Sequence, residues 1–129
     1  MNEFKKEGYY HIWSDVEKNR FHLYYYGNWK NPKDFQDYVP QVKQCVGELK
    51  DGCSCLVVLD PDAKPPKLAF TNIHKIVQKT LIAQGVKKTA VVVNMLLAKM
   101  SLKVINRFVG MDMKTFDKEE DAINWLDKE

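Results

Sequence analysis

Cys55-Leu56-Val57-Val58-Leu59 is an uninterrupted apolar run, and its reading decides the fold class. A strand with one face in water alternates apolar and polar residues. A strand covered on both faces need not, and central strands of parallel sheets carry such runs. Thr89 to Val93 repeats the pattern and reads as a second buried strand. Between the two lies a segment with helical signals. Thr71 or Asn72 can cap it, Ile73, Ile76, Val77, Thr80 and Leu81 form its expected inner face, and Gly85 stands where a left-handed terminating residue belongs. Strand, helix and strand in that order imply a parallel sheet.

Working toward the amino terminus, Asp51-Gly52 closes a further helix. Phe35, Val39, Val42, Val46 and Leu49 recur at spacings of four, three, four and three, a single apolar stripe. Asn31 is the expected cap, Pro32 suits the first helical position, and Asp34 completes a capping box. Pro40 is the defect: it should bend this helix or delay its regular start. Before it, Tyr9–Trp13 and Arg20–Tyr26 are aromatic, strand-like runs joined by turn residues, and they read as a hairpin. Phe21, Leu23 and Tyr25 share one face of its second strand; His22, Tyr24 and Tyr26 share the other.

Working toward the carboxyl terminus, Asp60-Pro61-Asp62-Ala63-Lys64-Pro65-Pro66 is a stiff, irregular loop. A helix is expected over about Leu96–Phe108, ending at Gly110. Met113–Phe116 could be a short last strand. Asp117, with Glu120 three residues on, should cap a final helix that packs down through Ala122, Trp125 and Leu126. The expected order is β-β-α-β-α-β-α-β-α: a mixed, largely parallel α/β sheet opened by a β-hairpin, in one domain spanning residues 1–129.

Composition agrees with a globular chain. Of 129 residues, 45% are hydrophobic and 29% charged, too apolar for a disordered segment. The net charge is only +3, and the basic residues fall in pairs such as Lys5-Lys6 and Lys87-Lys88, not in a run. A solvated surface is expected, and no nucleic-acid partner. Met1 to Lys6 has no apolar core like that of a signal peptide, and no apolar run reaches the roughly 20 residues of a transmembrane span. Three cysteines, an odd number, argue against a disulfide framework. A cytoplasmic protein is expected.

The element order resembles the STAS domain, the sulphate transporter and anti-sigma antagonist fold, and the SpoIIAA-like proteins within it. Leu56-Val57-Val58-Leu59-Asp60 is similar to the family's central strand. Gly110-Met111-Asp112-Met113-Lys114-Thr115-Phe116, leading to Ala122-Ile123-Asn124-Trp125-Leu126, is similar to its closing strand and helix. The resemblance covers about residues 9–128. It implies a bacterial regulatory module that works by binding other proteins. In the family, a partner kinase phosphorylates the serine of an Asp-Ser pair at the start of the second helix. Here that neighbourhood reads Phe70-Thr71-Asn72-Ile73, so Thr71 is the nearest hydroxyl and the Asp-Ser pair is absent.

Other constellations have plainer readings. Cys53 and Cys55 would face one side of a strand. They could hold a soft metal or exchange disulfides, but buried structural thiols explain them. His11 and His22 lie on paired strands and could be neighbours, yet two imidazoles do not complete a zinc site. His74 lies in the first turn of the second helix without a nucleophile beside it in sequence. Asp60 and Asp62 follow a central strand, where ligands of open α/β sheets bind, and turn duty also suits them. Tyr24, Tyr25, Tyr26 and Trp29 could line a pocket or pack as core. The 96–108 helix has more apolar faces than one core needs. Leu97, Met100, Val104 and Phe108 supply an inner stripe, leaving Leu96, Leu102 and Ile105. With Met100 and Met111, these are the candidate partner or ligand surface.

No Gly-rich phosphate loop or nucleophile elbow occurs. The expected function is a non-catalytic interaction module without a cofactor. Its partner would be another protein or a second copy of the chain in a homodimer. The alternative is a binder of a small apolar molecule or lipid, held between the sheet and the 96–108 helix.

Overall fold

The structure is a computed structural model describing residues 2–26, 32–60, 71–93 and 113–128. Its six strands are β1 (Glu3–Lys6), β2 (Tyr10–Asp15), β3 (Arg20–Tyr25), β4 (Ser54–Leu59), β5 (Lys88–Val92) and β6 (Met113–Phe116). They lie side by side in chain order in one sheet. The β1–β2 and β2–β3 pairs are antiparallel, and β3 through β6 are parallel. The helices are α1 (Tyr38–Gly47), α2 (Thr71–Ala83) and α3 (Glu119–Asp127). The mixed, largely parallel sheet is the expected fold class. The expected 96–108 helix lies outside the described residues.

The apolar run at 55–59 is explained by what covers β4. Cys55 packs into a large core with β2, β3, α1 and α2, while Leu56 packs into a second core with β5 and α3. Val57 and Leu59 lean on the first core and Val58 on the second. Both faces exclude water, so neither needs a polar residue.

Four expectations need correction. The chain does not enter its first helix at Asn31. Pro32–Phe35 makes one turn of 3-10 helix, and α1 starts at Tyr38 after Asp37. Pro40 is the reason: a helix running through from Pro32 would drive its ring into the Gln36 carbonyl. As the third residue of α1, Pro40 forgoes only an N–H that has no intrahelical acceptor. The expected stripe survives, with Phe35, Val42, Val46 and Leu49 buried and Val39 partly so.

Secondly, the sheet begins one strand before the expected hairpin. Glu3–Lys6 adds an outer strand whose one apolar residue, Phe4, packs on the core. Glu48, just past α1, pins the start of this strand. Its carboxylate accepts from the Asn2 backbone N–H at 2.9 Å and from the Ser14 hydroxyl. Those hydrogen bonds hold it below the usual carboxylate range.

Thirdly, Ile76 is 41% exposed and not on the inner face of α2. Val77 and Leu81, with Ile73, already form the stripe, and Ile76 is rotated about 100° from Val77. Lastly, α3 is capped by Lys118 rather than Asp117, without a side-chain bond. Glu119, Glu120 and Asp121 in its first turn instead oppose the positive end of the helix dipole.

Gly85 behaves as expected. Its φ is +85°, the Gly85 N–H donates to the Ile82 carbonyl and the Val86 N–H to the Leu81 carbonyl, a Schellman closure of α2. A Cβ there would also collide with the Asp51 side chain.

Candidate functional site

The sheet register places the expected site residues in two regions. At the carboxyl ends of β3 and β4, Tyr25 sits beside Leu59, and the Asp60 N–H donates to the Tyr25 carbonyl at 2.8 Å. This brings Asp60 beside Tyr24, whose hydroxyl lies 3.4 Å from Asp60 Oδ2 in donor position. The Tyr24 and Tyr26 rings are 4.7 Å apart. Burial raises the Tyr24 phenol above its ordinary value, and the Asp60 carboxylate raises it further. At neutral pH this is a neutral donor facing a carboxylate, an arrangement that orients Asp60 rather than one that exchanges protons. Thr71 and His74 take first-turn positions of α2. Their side chains, with Trp29, Asp62 and the whole set Leu96, Met100, Leu102, Ile105 and Met111, lie outside the described residues.

The second region is the hairpin face turned away from α1 and α2. His11 pairs with Tyr24 across the strands, and Trp13 with His22. The Trp13 ring stacks on His22 with centroids 4.5 Å apart and planes 9° from parallel, and lies 4.6 Å from the His11 ring. The two histidines are therefore not direct neighbours as a ligand pair; Trp13 sits against both. His11 Nε2 is instead 2.7 Å from Glu3 Oε2 on β1. Burial, helped by the nearby Arg20 cation, holds the His22 imidazole down to about 4, so it is neutral at pH 7. Its Nε2 is buried and has no hydrogen-bond partner among the described residues. Sequence alternation puts His22, Tyr24 and Tyr26 on one face, but the Trp13 stack needed the cross-strand register.

The cysteines sit in the large core. Cys45, Cys53 and Cys55 are buried free thiols, and burial pushes Cys45 and Cys55 up to about 12. A thiol that hard to ionise is a poor nucleophile and a poor metal ligand. Tyr38 and Phe21 fill the same core.

At the opposite end of the sheet, Arg20 is a buried cation that sequence reasoning passed over. Its Nε donates to Ser54 Oγ at 2.9 Å, and its Nη2 donates to Asp127 Oδ1 of α3 at 2.8 Å. That bond holds the Asp127 carboxyl below its ordinary value. Only the register of β3 against β4 and the docking of α3 bring these three residues together.

A family model described as SpoIIAA-like matches residues 28–127. The chain belongs to the SpoIIAA-like family. The match runs from just after β3 to the end of α3 and so takes in β4, β5, β6 and the three described helices. Neither a curated protein nor a solved structure matches the chain. Among the described residues, no helix is long and apolar enough to cross a membrane.

Proposed function

We propose that this SpoIIAA-like chain is a non-catalytic regulatory module of the anti-sigma factor antagonist type, acting by binding another protein. The family match over residues 28–127 carries this reading. Two features support it. The start of α2 follows the carboxyl end of β4, the end at which ligands of open α/β sheets bind. Thr71 opens that helix, where a phosphate would meet the positive end of the helix dipole.

The partner surface is proposed at Leu96, Met100, Leu102, Ile105 and Met111, with Asp60, His74, Tyr24, Tyr26 and Trp29 as the secondary set. A phosphate switch, where one operates, is assigned to Thr71.

Native mass spectrometry of protein isolated from its own cells, followed by phosphosite mapping, tests both parts. The expected result is a stoichiometric complex with a second polypeptide, with any phosphate at Thr71. A retained lipid-sized mass without a protein partner would replace this reading with the apolar-ligand alternative. Phosphate mapped to Ser54 or Ser101 would remove Thr71 from the account.

A further inference from the structure

The amino ends of the parallel strands carry a concavity, at the opposite end of the sheet from Tyr24 and Asp60. The turn between β2 and β3, the starts of β4 and β5 and the end of α3 enclose a cleft of about 270 Å³. Its walls carry five cations, Lys18, Arg20, Lys87, Lys88 and Lys128, and one carboxylate, Asp127. The chain as a whole carries an excess of only three positive charges, so this cleft is far more basic than the average surface. Read along the sequence, Lys87-Lys88 is merely a pair; the fold sets it opposite Lys18 and Arg20.

The cations are not equivalent. Arg20 is only 3% exposed and is fixed by Ser54 and Asp127. The Lys88 ammonium donates to the Trp125 and Lys128 carbonyls at the carboxyl end of α3, and lies 5.0 Å from the Trp125 ring centroid. Lys18 reaches Asp127 at 3.8 Å from a half-exposed position. Lys87 and Lys128 have exposed side chains, and neither pairs with a carboxylate among the described residues. The cleft thus has a buried, hydrogen-bonded cation in its floor and exposed ammonium groups at its rim. Asp127 answers Arg20 and, more loosely, Lys18, and leaves Lys87 and Lys128 without a carboxylate among the described residues.

We propose that this cleft binds a phosphate-class anion, either free phosphate or the phosphate group of a small ester. Its lining is mostly cationic, and Leu126 is its one large apolar side chain, which disfavours an apolar ligand; about 270 Å³ leaves room for the organic part of a small ester beside the phosphate. Arg20 and Ser54 supply preset donors in the floor, and Lys18 and Lys87 close on the anion by charge-assisted hydrogen bonds. Resident Asp127 opposes entry and limits affinity.

Isothermal titration calorimetry at pH 7.5 and fixed ionic strength, with inorganic phosphate, pyrophosphate, glycerol phosphate and chloride as titrants, tests the site. Saturable one-to-one binding of the phosphates but not chloride is expected. Lys18→Gln and Lys87→Gln should each weaken it about tenfold, with circular dichroism and thermal unfolding unchanged. Asp127→Asn should tighten it. Glycerol phosphate binding more tightly than inorganic phosphate assigns the site to an ester; the reverse order assigns it to the free ion. No saturable heat at about 10 mM phosphate, or affinity indifferent to both lysine substitutions, overturns the proposal. Its failure leaves the regulatory reading untouched, since that reading uses none of the cleft's residues.

Discussion

The two faces of the sheet are held by different chemistry. Toward α1 and α2, Tyr10, Ile12, Phe21, Leu23 and Tyr25 of the hairpin meet Tyr38, Val42, Val46 and Val77 in one continuous apolar core. Toward α3, the buried apolar cluster among the described residues is Leu56, Ala90, Val92, Ala122 and Leu126. There, polar bonds extend the contact: Arg20 to Asp127, and Lys88 to the helix's last carbonyls. Apolar burial scales with area and does not titrate, whereas a charged clasp depends on pH and is screened by salt. The α1–α2 face therefore rests on packing, whereas the attachment of α3 rests in part on charge.

Phe21→Ala gives the largest expected effect. Phe21 is fully buried in the large core, and its loss should cost about 3–5 kcal/mol in urea unfolding. A cost under about 1 kcal/mol would mean that this core is loosely packed and the contrast between the faces is false.

Arg20→Ala comes next, at about 2 kcal/mol, from lost hydrogen bonds to a charged partner and lost packing of the buried stem. Hydrogen exchange should rise mainly in α3, leaving α1 and α2 protected. An unchanged α3 would show that Leu126 and Ala122 suffice to hold it.

Acid gives the smallest of the three effects and again separates the faces. His22 is held down to about 4 from an ordinary 6.5. Below its unfolded value, the unfolded chain binds a proton that the folded chain refuses, so stability falls as the pH drops from 6.5 to about 4. Allowing for solvent screening at this half-buried position, the loss should be about 1–2 kcal/mol, read as a shift in the urea midpoint. His22→Phe should flatten that slope. A slope identical in the variant would place the acid sensitivity elsewhere, with Asp127 and Glu48 the first groups to examine.

Much of this molecule could be read from residue order. The apolar run at 55–59 and its echo at 89–93 suit strands covered on both faces, and with the helical stretch between them they imply a parallel sheet. The stripe from Phe35 to Leu49 and the Gly85 stop are equally local, because periodicity and positive φ are properties of short segments. The strand at Glu3–Lys6 was illegible for the same reason: with one apolar residue in four, it carries no period and exists only because β2 offers an edge and Glu48 a clasp.

The candidate sites divide in the same way. Tyr24 and Tyr26 share a face by alternation alone, but their approach to Asp60 needs β3 and β4 in register. Trp13 between two histidines needs the β2–β3 register. The basic cleft draws Lys18, Lys87 and Lys128 from positions scattered along the whole chain. Periodicity reports what a segment buries; which charges meet across the ends of a sheet depends on register and helix docking, which tertiary packing alone sets.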